Sequence, residues 1–507
     1  MEMRTNDYDG DRSSVGDHTI TIGASTTVEE AENRFSDPRR RKTKIRLSKQ
    51  IDVTDEEAEQ LAFLTDEQKE REIKRLNTLI GQYKLILYSV AITVGWAAYA
   101  TNMTIFYTKN VLNLSPEATT RINSIAFLPW SVKPLWGFLV DSVFPFRYRF
   151  KSHTTFVSLF NCLVMAVLIY QPKPHKDLLT VVLFLQIASI SYIDSMAQGM
   201  TAMITKLIAK VKALEDPDST EVSPLRIFAL YTSVKNLVRC VMTFVGGIIV
   251  ERTAKSYLLV SGFAQASCPL VLCLLTLFVF REQRKSKVLK GCDDFVTGMK
   301  KTGQSVFVKK AMGPYLIVIL YQFIPQMPQI YTYMLLSTGG WSFDLFSFST
   351  LIGSLVTNLF LMFGFPRVSK FVKAHYMMLA ILVMLALCLL LSSSVLTCGN
   401  YNPDLYSIFW TGASSSIILA NVLILVVAVG RISPLLPAGF ESIGIAVTTS
   451  IVNMCTSAGQ FLGAELASAY NVKAGYYGRM MYPQITVVVT AIALIGISPW
   501  FLSYKKD

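Results

Sequence analysis

The sequence predicts an all-α membrane protein with twelve transmembrane helices in two six-helix halves. Three observations carry that reading. Of 507 residues, 52% are hydrophobic and only 16% are charged, against roughly 25% charged in a soluble domain. The charge is concentrated in residues 1–84, and apolar runs fill the rest. Lys and Arg then recur in every second loop rather than in all of them.

A membrane-crossing helix needs roughly 20 apolar residues in a row. Such runs lie at about 85–107, 117–140, 154–171, 178–203, 226–250, 256–280, 313–336, 345–365, 375–396, 406–430, 438–467 and 484–504. Pro434 and Pro437 mark the least distinct boundary, between the tenth run and the eleventh. The chain divides accordingly into a tail (1–84), a first half (85–280), a basic, mildly amphipathic linker (281–312) and a second half (313–507). Two halves of six joined by a linker match transporters built from parallel repeats.

The tail contains no apolar stretch of signal-peptide type. Its first 50 residues have the composition of a disordered segment. The basic run from Arg39 to Lys49 suits either an anionic-lipid contact or sorting signal, or a solvated tail. Thr54–Glu57 and Thr65–Gln68 have capping-box form, which predicts a short amphipathic helix leading into the first span.

Positive loop residues mark the cytoplasmic side. Arg147, Arg149 and Lys151 follow the second span. Nine basic residues lie between Arg281 and Lys310, and Arg367, Lys370 and Lys373 follow the eighth span. The loops after spans seven and nine have none. Both termini are therefore expected in the cytoplasm, most simply at the plasma membrane. The net charge of +13 then reflects this asymmetry and contact with anionic lipid, with no nucleic-acid partner implied. The eight cysteines lie mainly in spans or on the cytoplasmic side, so no structural disulfide is expected. Asn113-Leu114-Ser115 forms a glycosylation sequon in a short outer loop.

Residues 129–153 hold the most informative motif. Gly137 permits close helix approach. Asp141, four residues on, can accept hydrogen bonds from the positive N-terminus of a neighbouring helix. Arg147, Arg149 and Lys151 can pair with acids at other helix ends. This pattern resembles the loop motif of the major facilitator superfamily, in which such a latch holds one access state. A weak internal repeat places Gly364, Arg367 and Lys370 at the equivalent point of the second half.

The fuller string narrows the resemblance. Pro129, Trp130, Lys133, Pro134, Gly137 and Asp141, continuing through Ser142, Val143, Tyr148 and Arg149, are similar to the folate–biopterin transporter family. Arg239 followed by Gly246 and Gly247 agrees, as does Pro437–Glu441 followed by Ser450 and Asn453. Arg147 departs from the family, which usually has glycine there. The resemblance covers residues 85–500 and implies a major-facilitator transporter.

Charges within spans are expensive, at about 2.5–3.5 kcal/mol each on insertion scales, and so point to function. Asp194, Lys235, Arg239 and Glu441 are of this kind, with Lys133 nearer the cytoplasmic end of its span. Asp194 matches a family carboxylate able to accept two adjacent N–H groups of a pterin ring, or to carry a coupled proton. The second acid that the family often has is replaced by Ile190. Lys235 and Arg239, one turn apart, suit the anionic tail of a folate; alternatively, Arg239 bridges to Asp194. Glu441 suits a cap on the eleventh helix or a partner for Lys133 or Arg431. Gln326 and its aromatic and amide neighbours suit the far wall of the site, or plain packing. Pro325 and Pro328 would interrupt the seventh helix there.

The expected function is secondary active transport of folate, biopterin or another pteridine by a monomer, coupled to protons and with no cofactor. S-adenosylmethionine transport and a non-transporting receptor are the alternatives. No G-x-x-x-x-G-K-[ST] loop is present, which argues against an ATP-driven pump. None of the four histidines (18, 153, 175 and 375) lies in the interior of a predicted span, which argues against an intramembrane metal site and an enzyme.

Overall fold

The computed structural model describes residues 64–97, 99–114, 116–171, 173–215, 224–252, 257–282, 284, 292–306, 319–325, 342–365, 367–368, 440–472, 479 and 481–502, with isolated positions between 316 and 390. The tail through residue 63, the tenth predicted span, and most of the seventh and ninth lie outside them. The described residues are helical and contain no β-strand. Six of the helices are long and apolar enough to cross a membrane.

Helix α1 (Asp66–Trp96) opens on a complete capping box. Gln68 donates its backbone N–H to the Thr65 hydroxyl, and Thr65 donates its own to the Gln68 side chain. No proline interrupts the 31 residues that follow, so the expected lead helix and the first part of the first span, as far as Trp96, are one continuous rod. Its buried face runs through Leu76, Ile80, Tyr83, Leu87, Val90 and Val94, the spacing of one helical stripe. Helix α2 (Tyr99–Asn110) carries the chain to a short loop, where Asn113 is exposed with φ 50°. Asn tolerates this left-handed conformation better than most residues.

The second predicted span is two helices, α3 (Pro116–Ser131) and α4 (Lys133–Ser142), which meet at Val132. Pro134 explains the break. It has no N–H to donate to the carbonyl of Trp130 four residues back, and its ring crowds that carbonyl. The freed acceptors find other donors. Trp136 Nε1 and the Ser191 hydroxyl donate to Pro129 O, each at 3.2 Å, and Asn453 Nδ2 donates to Trp130 O at 3.2 Å.

Helix α5 (Lys151–Tyr170) packs along α8 (Tyr257–Phe278). Each helix is capped by the other's segment. Glu282 accepts the backbone N–H groups of Arg149, Phe150 and Lys151 at the N-terminus of α5, the shortest at 2.8 Å. Lys151 Nζ donates to Leu277 O and Phe280 O at the C-terminus of α8. An anion thus sits at a positive helix end and a cation at a negative one. This cap starts α5 at Lys151, three residues before the predicted span, and carries His153 into the buried first turn.

Helix α6 (Lys176–Glu215) is the central rod. It is buried on all sides from Ser189 to Ala202. Helix α7 (Pro224–Arg252) packs on α1, where a Cβ at position 95 would lie 2.5 Å from Lys235 O, so only glycine admits this crossing. The opposite side of α7 meets α10 (Phe343–Leu359), with Phe244 and Phe348 6.0 Å apart. In the linker, α9 (Cys292–Val306) rests the small surface of Gly298 on Phe440. Helix α11 (Glu441–Ala469) lies against α4 and α6, and α12 (Met481–Leu502) completes the described chain. Gly364, the counterpart of Gly137, ends a π-turn (Phe360–Gly364) and abuts Phe360 of that same turn. The repeat is therefore one of sequence position, not of helix crossing.

Removal of the Glu282 carboxylate should loosen the α5–α8 pair. E282A leaves three backbone donors without their acceptor, which costs about 1–3 kcal/mol. E282Q keeps an acceptor oxygen and should lose far less, read as thermal unfolding of the detergent-solubilised protein. Burial raises this carboxyl above its ordinary value, against its N–H bonds and Arg149. Folding then takes up a proton, so this group's contribution declines as pH rises above 4.5. E282Q should lack that slope.

Candidate functional site

Three charges from three helices meet in the core. Asp194, on α6, is fully buried. Its Oδ2 accepts from Lys133 Nζ of α4 at 2.5 Å and from Gln198 Nε2 at 2.8 Å. Its Oδ1 accepts from Tyr231 Oη at 2.7 Å and Lys235 Nζ at 3.0 Å, both on α7. Four donors thus fill the acceptor capacity of a carboxylate. Two aromatic faces attend the lysines. Lys133 Nζ lies 4.5 Å from the Trp130 ring centre, and Lys235 Nζ lies 5.3 Å from that of Tyr231. The break at Val132 makes this possible, because it turns Lys133 into the first residue of a new helix segment facing α6.

The second centre lies eight residues further along α4, about 12 Å on at 1.5 Å per residue. Asp141, fully buried, accepts from Arg149 Nη2 at 2.5 Å. Its other oxygen accepts the backbone N–H of Ile443 at 2.9 Å, in the first turn of α11. Gly137 lets the helices meet: a Cβ there would lie 2.7 Å from Ile443 Cα. Gly199 of α6 abuts Ser442 in the same way. Arg149 connects this contact to the α5 cap, since its backbone N–H goes to Glu282. Beside it, Tyr192 Oη lies 2.8 Å from His153 Nδ1, and His153 Nε2 lies 2.8 Å from Val143 O. The carbonyl is an acceptor only, so Nε2 carries a proton and Nδ1 of a neutral ring would accept from the Tyr192 hydroxyl.

The two centres communicate through α11. Thr449 donates to Gln198 Oε1 at 3.4 Å, and Gln198 holds Asp194. Asn453, one turn on, takes the Trp130 carbonyl.

The expected groupings are partly rearranged. Lys133, read with the loop motif, belongs to the Asp194 cluster. Arg239 is not among the partners of Asp194; the bridge forms from Lys235, one turn earlier, because that is the residue of α7 level with Asp194. Arg239 is exposed instead. Glu441 begins α11, its side chain outside those described, and Asp141 accepts a backbone N–H of the helix's first turn. Gln326 lies outside the described residues. Its neighbour in the sequence Gln322 is buried and accepts from Thr456 of α11 at 2.9 Å. Sequence reasoning missed Tyr231, Gln198, Glu282 and His153, of which only the first two had a signal, lying one turn from Lys235 and Asp194.

Helices long enough to cross a membrane, packed around a buried ion cluster, make this an all-helical membrane protein. The BT1 family model matches residues 95–504; the chain belongs to the BT1 family. It is 31% identical over 72 residues to "Probable folate-biopterin transporter 4" of Arabidopsis thaliana, a match covering 14% of this chain and 15% of that protein's length. Among solved structures, its fold is similar to a mutant of the nucleoside transporter NupG, with TM-score 0.54 and 12% identity, over 84% of this chain and 100% of that one. It is also similar to the proton:xylose symporter XylE, with TM-score 0.59 and 10% identity, over 84% and 96% of the two chains. At these identities the likeness is one of fold.

The Asp194 cluster should behave as a coupled unit. D194N leaves two ammonium groups without a counter-charge, which costs on the order of 3–5 kcal/mol, and should sharply reduce folded protein on extraction. Adding K133M removes one of them and should restore much of the yield. Additive losses in this double-mutant cycle would show that the pair is energetically idle.

Proposed function

We propose that the protein is a secondary active transporter that moves folate, biopterin or a related pteridine across a membrane, coupled to protons, by alternating access. The observation that carries this reading is the buried Lys133–Asp194–Lys235 cluster, hydrogen-bonded through Gln198 to the second half. The matched stretch of a probable folate–biopterin transporter supports the cargo class. The substrate site includes Asp194, Lys235, Arg239 and Gln326. The coupled proton is assigned to Asp194, when a lysine is withdrawn from it. Asp141, Gly137 and Arg149 act as the gate, with Lys133 linking gate and cluster and Glu441 in a structural or coupling role. The positive loops argue for cytoplasmic termini and a gate at the cytoplasmic side. The chain works as a monomer at the plasma membrane, its halves at 85–280 and 313–507 moving about the linker.

S-adenosylmethionine is the second reading. It is disfavoured because its cationic cargo would face a cluster holding two lysines and one aspartate.

Cells without pteridine uptake that express the protein should accumulate labelled folate or biopterin, faster at pH 5.5 than at 7.5 and not in the presence of a protonophore. Surface-expressed protein with no uptake of either would sink the reading; uptake indifferent to pH would remove the proton from it. D141N weakens the acceptor of both Arg149 and the α11 N-terminus. It should shift apparent affinity and maximal rate together while leaving the protein folded.

A further inference from the structure

Lys235 is placed to leave the cluster more readily than Lys133. Asp194 Oδ1 accepts from both Lys235 and Tyr231, so withdrawal of Lys235 still leaves that oxygen a donor. Oδ2 keeps Lys133 and Gln198. Lys133 is only 2% exposed and its ammonium would be stranded. The Lys235 side chain is 16% exposed, against 0% for Asp194. Exposure also rises along one face of α7, from fully buried Tyr231 through Lys235 to exposed Arg239. Arg239 is the sixteenth residue of a 29-residue helix. An arginine at that depth is costly to leave facing lipid, which favours a water-lined setting for this face. The face is a graded approach lined by two cations, and it ends on a cluster with one more positive charge than negative.

Resting on the transporter reading above, we infer that Lys235 is the specificity-determining residue: it exchanges Asp194 for a carboxylate on the cargo. The cargo is then a pteridine conjugated to an acidic tail, in preference to a neutral, unconjugated pterin. The exchange preserves charge pairing, because Asp194 retains Lys133 while Lys235 moves from one carboxylate to another. Arg239 supplies the outer cation that first meets the acid. Asp194 is filled by its four donors and does not itself grip the pterin ring in this state.

The test measures binding to purified protein of folate, folate dimethyl ester, biopterin and p-aminobenzoyl-glutamate, the last carrying the acidic tail without the pterin. Folate should bind wild type at least tenfold more tightly than its dimethyl ester or biopterin. K235Q should abolish that preference, weakening folate binding by a larger factor than biopterin binding, and K235R should retain part of it. Equal affinity of wild type for folate and its uncharged ester would overturn the inference, whether or not K235Q folds. So would equal losses for folate and biopterin in K235Q. If p-aminobenzoyl-glutamate binds through Lys235 but no pteridine binds, the pteridine reading fails and the anion site stands. If none of the four binds, both fail.

Discussion

The carboxylate at the centre of this helical bundle is neutralised from elements that do not share its helix. Asp194 takes Lys133 from α4 and Lys235 from α7, and this requirement fixes how three helices are rotated and offset. Desolvating these charges is costly, and their mutual attraction offsets the cost only when every donor and acceptor is matched. The neutral members of the cluster supply that match. Tyr231 and Gln198 fill the positions on Asp194 that the lysines leave open, so the carboxylate has no unsatisfied lone pair driving it toward water. Around it, Ile190, Ile193, Met196, Ala197 and Met200 form a close apolar collar on α6, which keeps the local dielectric low and the pairs strong.

The same residues that bring Lys133 inward also open a connection to the other half. Pro134 forces the break that makes Lys133 the start of α4, and by the same loss of a donor it frees the Trp130 carbonyl for Asn453. A proline that would merely weaken a soluble helix here converts backbone polarity into an inter-half contact. Broken helices at membrane depth are tolerated only where neighbouring groups take up the freed backbone positions, and Trp136, Ser191 and Asn453 are those groups.

Much of this was legible in the sequence, and the limits have physical causes. Apolar run length gave most of the described helix ends within a few residues, and the capping box, not the apolar run, marked the start of α1 at Thr65. It failed where the cap is distant: Glu282 lies 131 residues from Lys151, and inside a basic linker it looks like a solvated charge. Lys133, Asp194 and Lys235 were identifiable singly, because an unpaired charge in a span is expensive. Their pairing was not, since helix rotation leaves no trace in one dimension. Proximity in sequence tied Lys133 to Gly137 and Asp141. These three do share a helix face at i, i+4 and i+8, but eight residues of rise carry one end to the core and the other to the contact with α11. Asp141 was the opposite case: its expected partner, a helix N-terminus, needs no knowledge of a side chain, and the α11 backbone supplies it.

The distribution of bond strength explains why such a bundle can both hold together and move. Within the first half, charges bind charges: Lys133 and Lys235 to Asp194, and Arg149 to Asp141. Between that half and α11, the described contacts are Ile443 N–H to Asp141, Thr449 to Gln198, and Asn453 to Trp130 O. A hydrogen bond of this sort contributes on the order of 1 kcal/mol net, more where it meets a charge. Small residues line the crossing at Gly137 and Gly199, so little side-chain interlocking opposes separation. The three contacts lie at positions 443, 449 and 453, spread over about 15 Å of one helix at 1.5 Å per residue. A shift of α11 therefore strains all three at once, uncapping its own N-terminus at Asp141 and pulling on the Gln198 that holds Asp194. In the proposed cycle, a gate and a buried ion cluster some 12 Å apart need no relay of moving side chains between them; one rigid helix reads both.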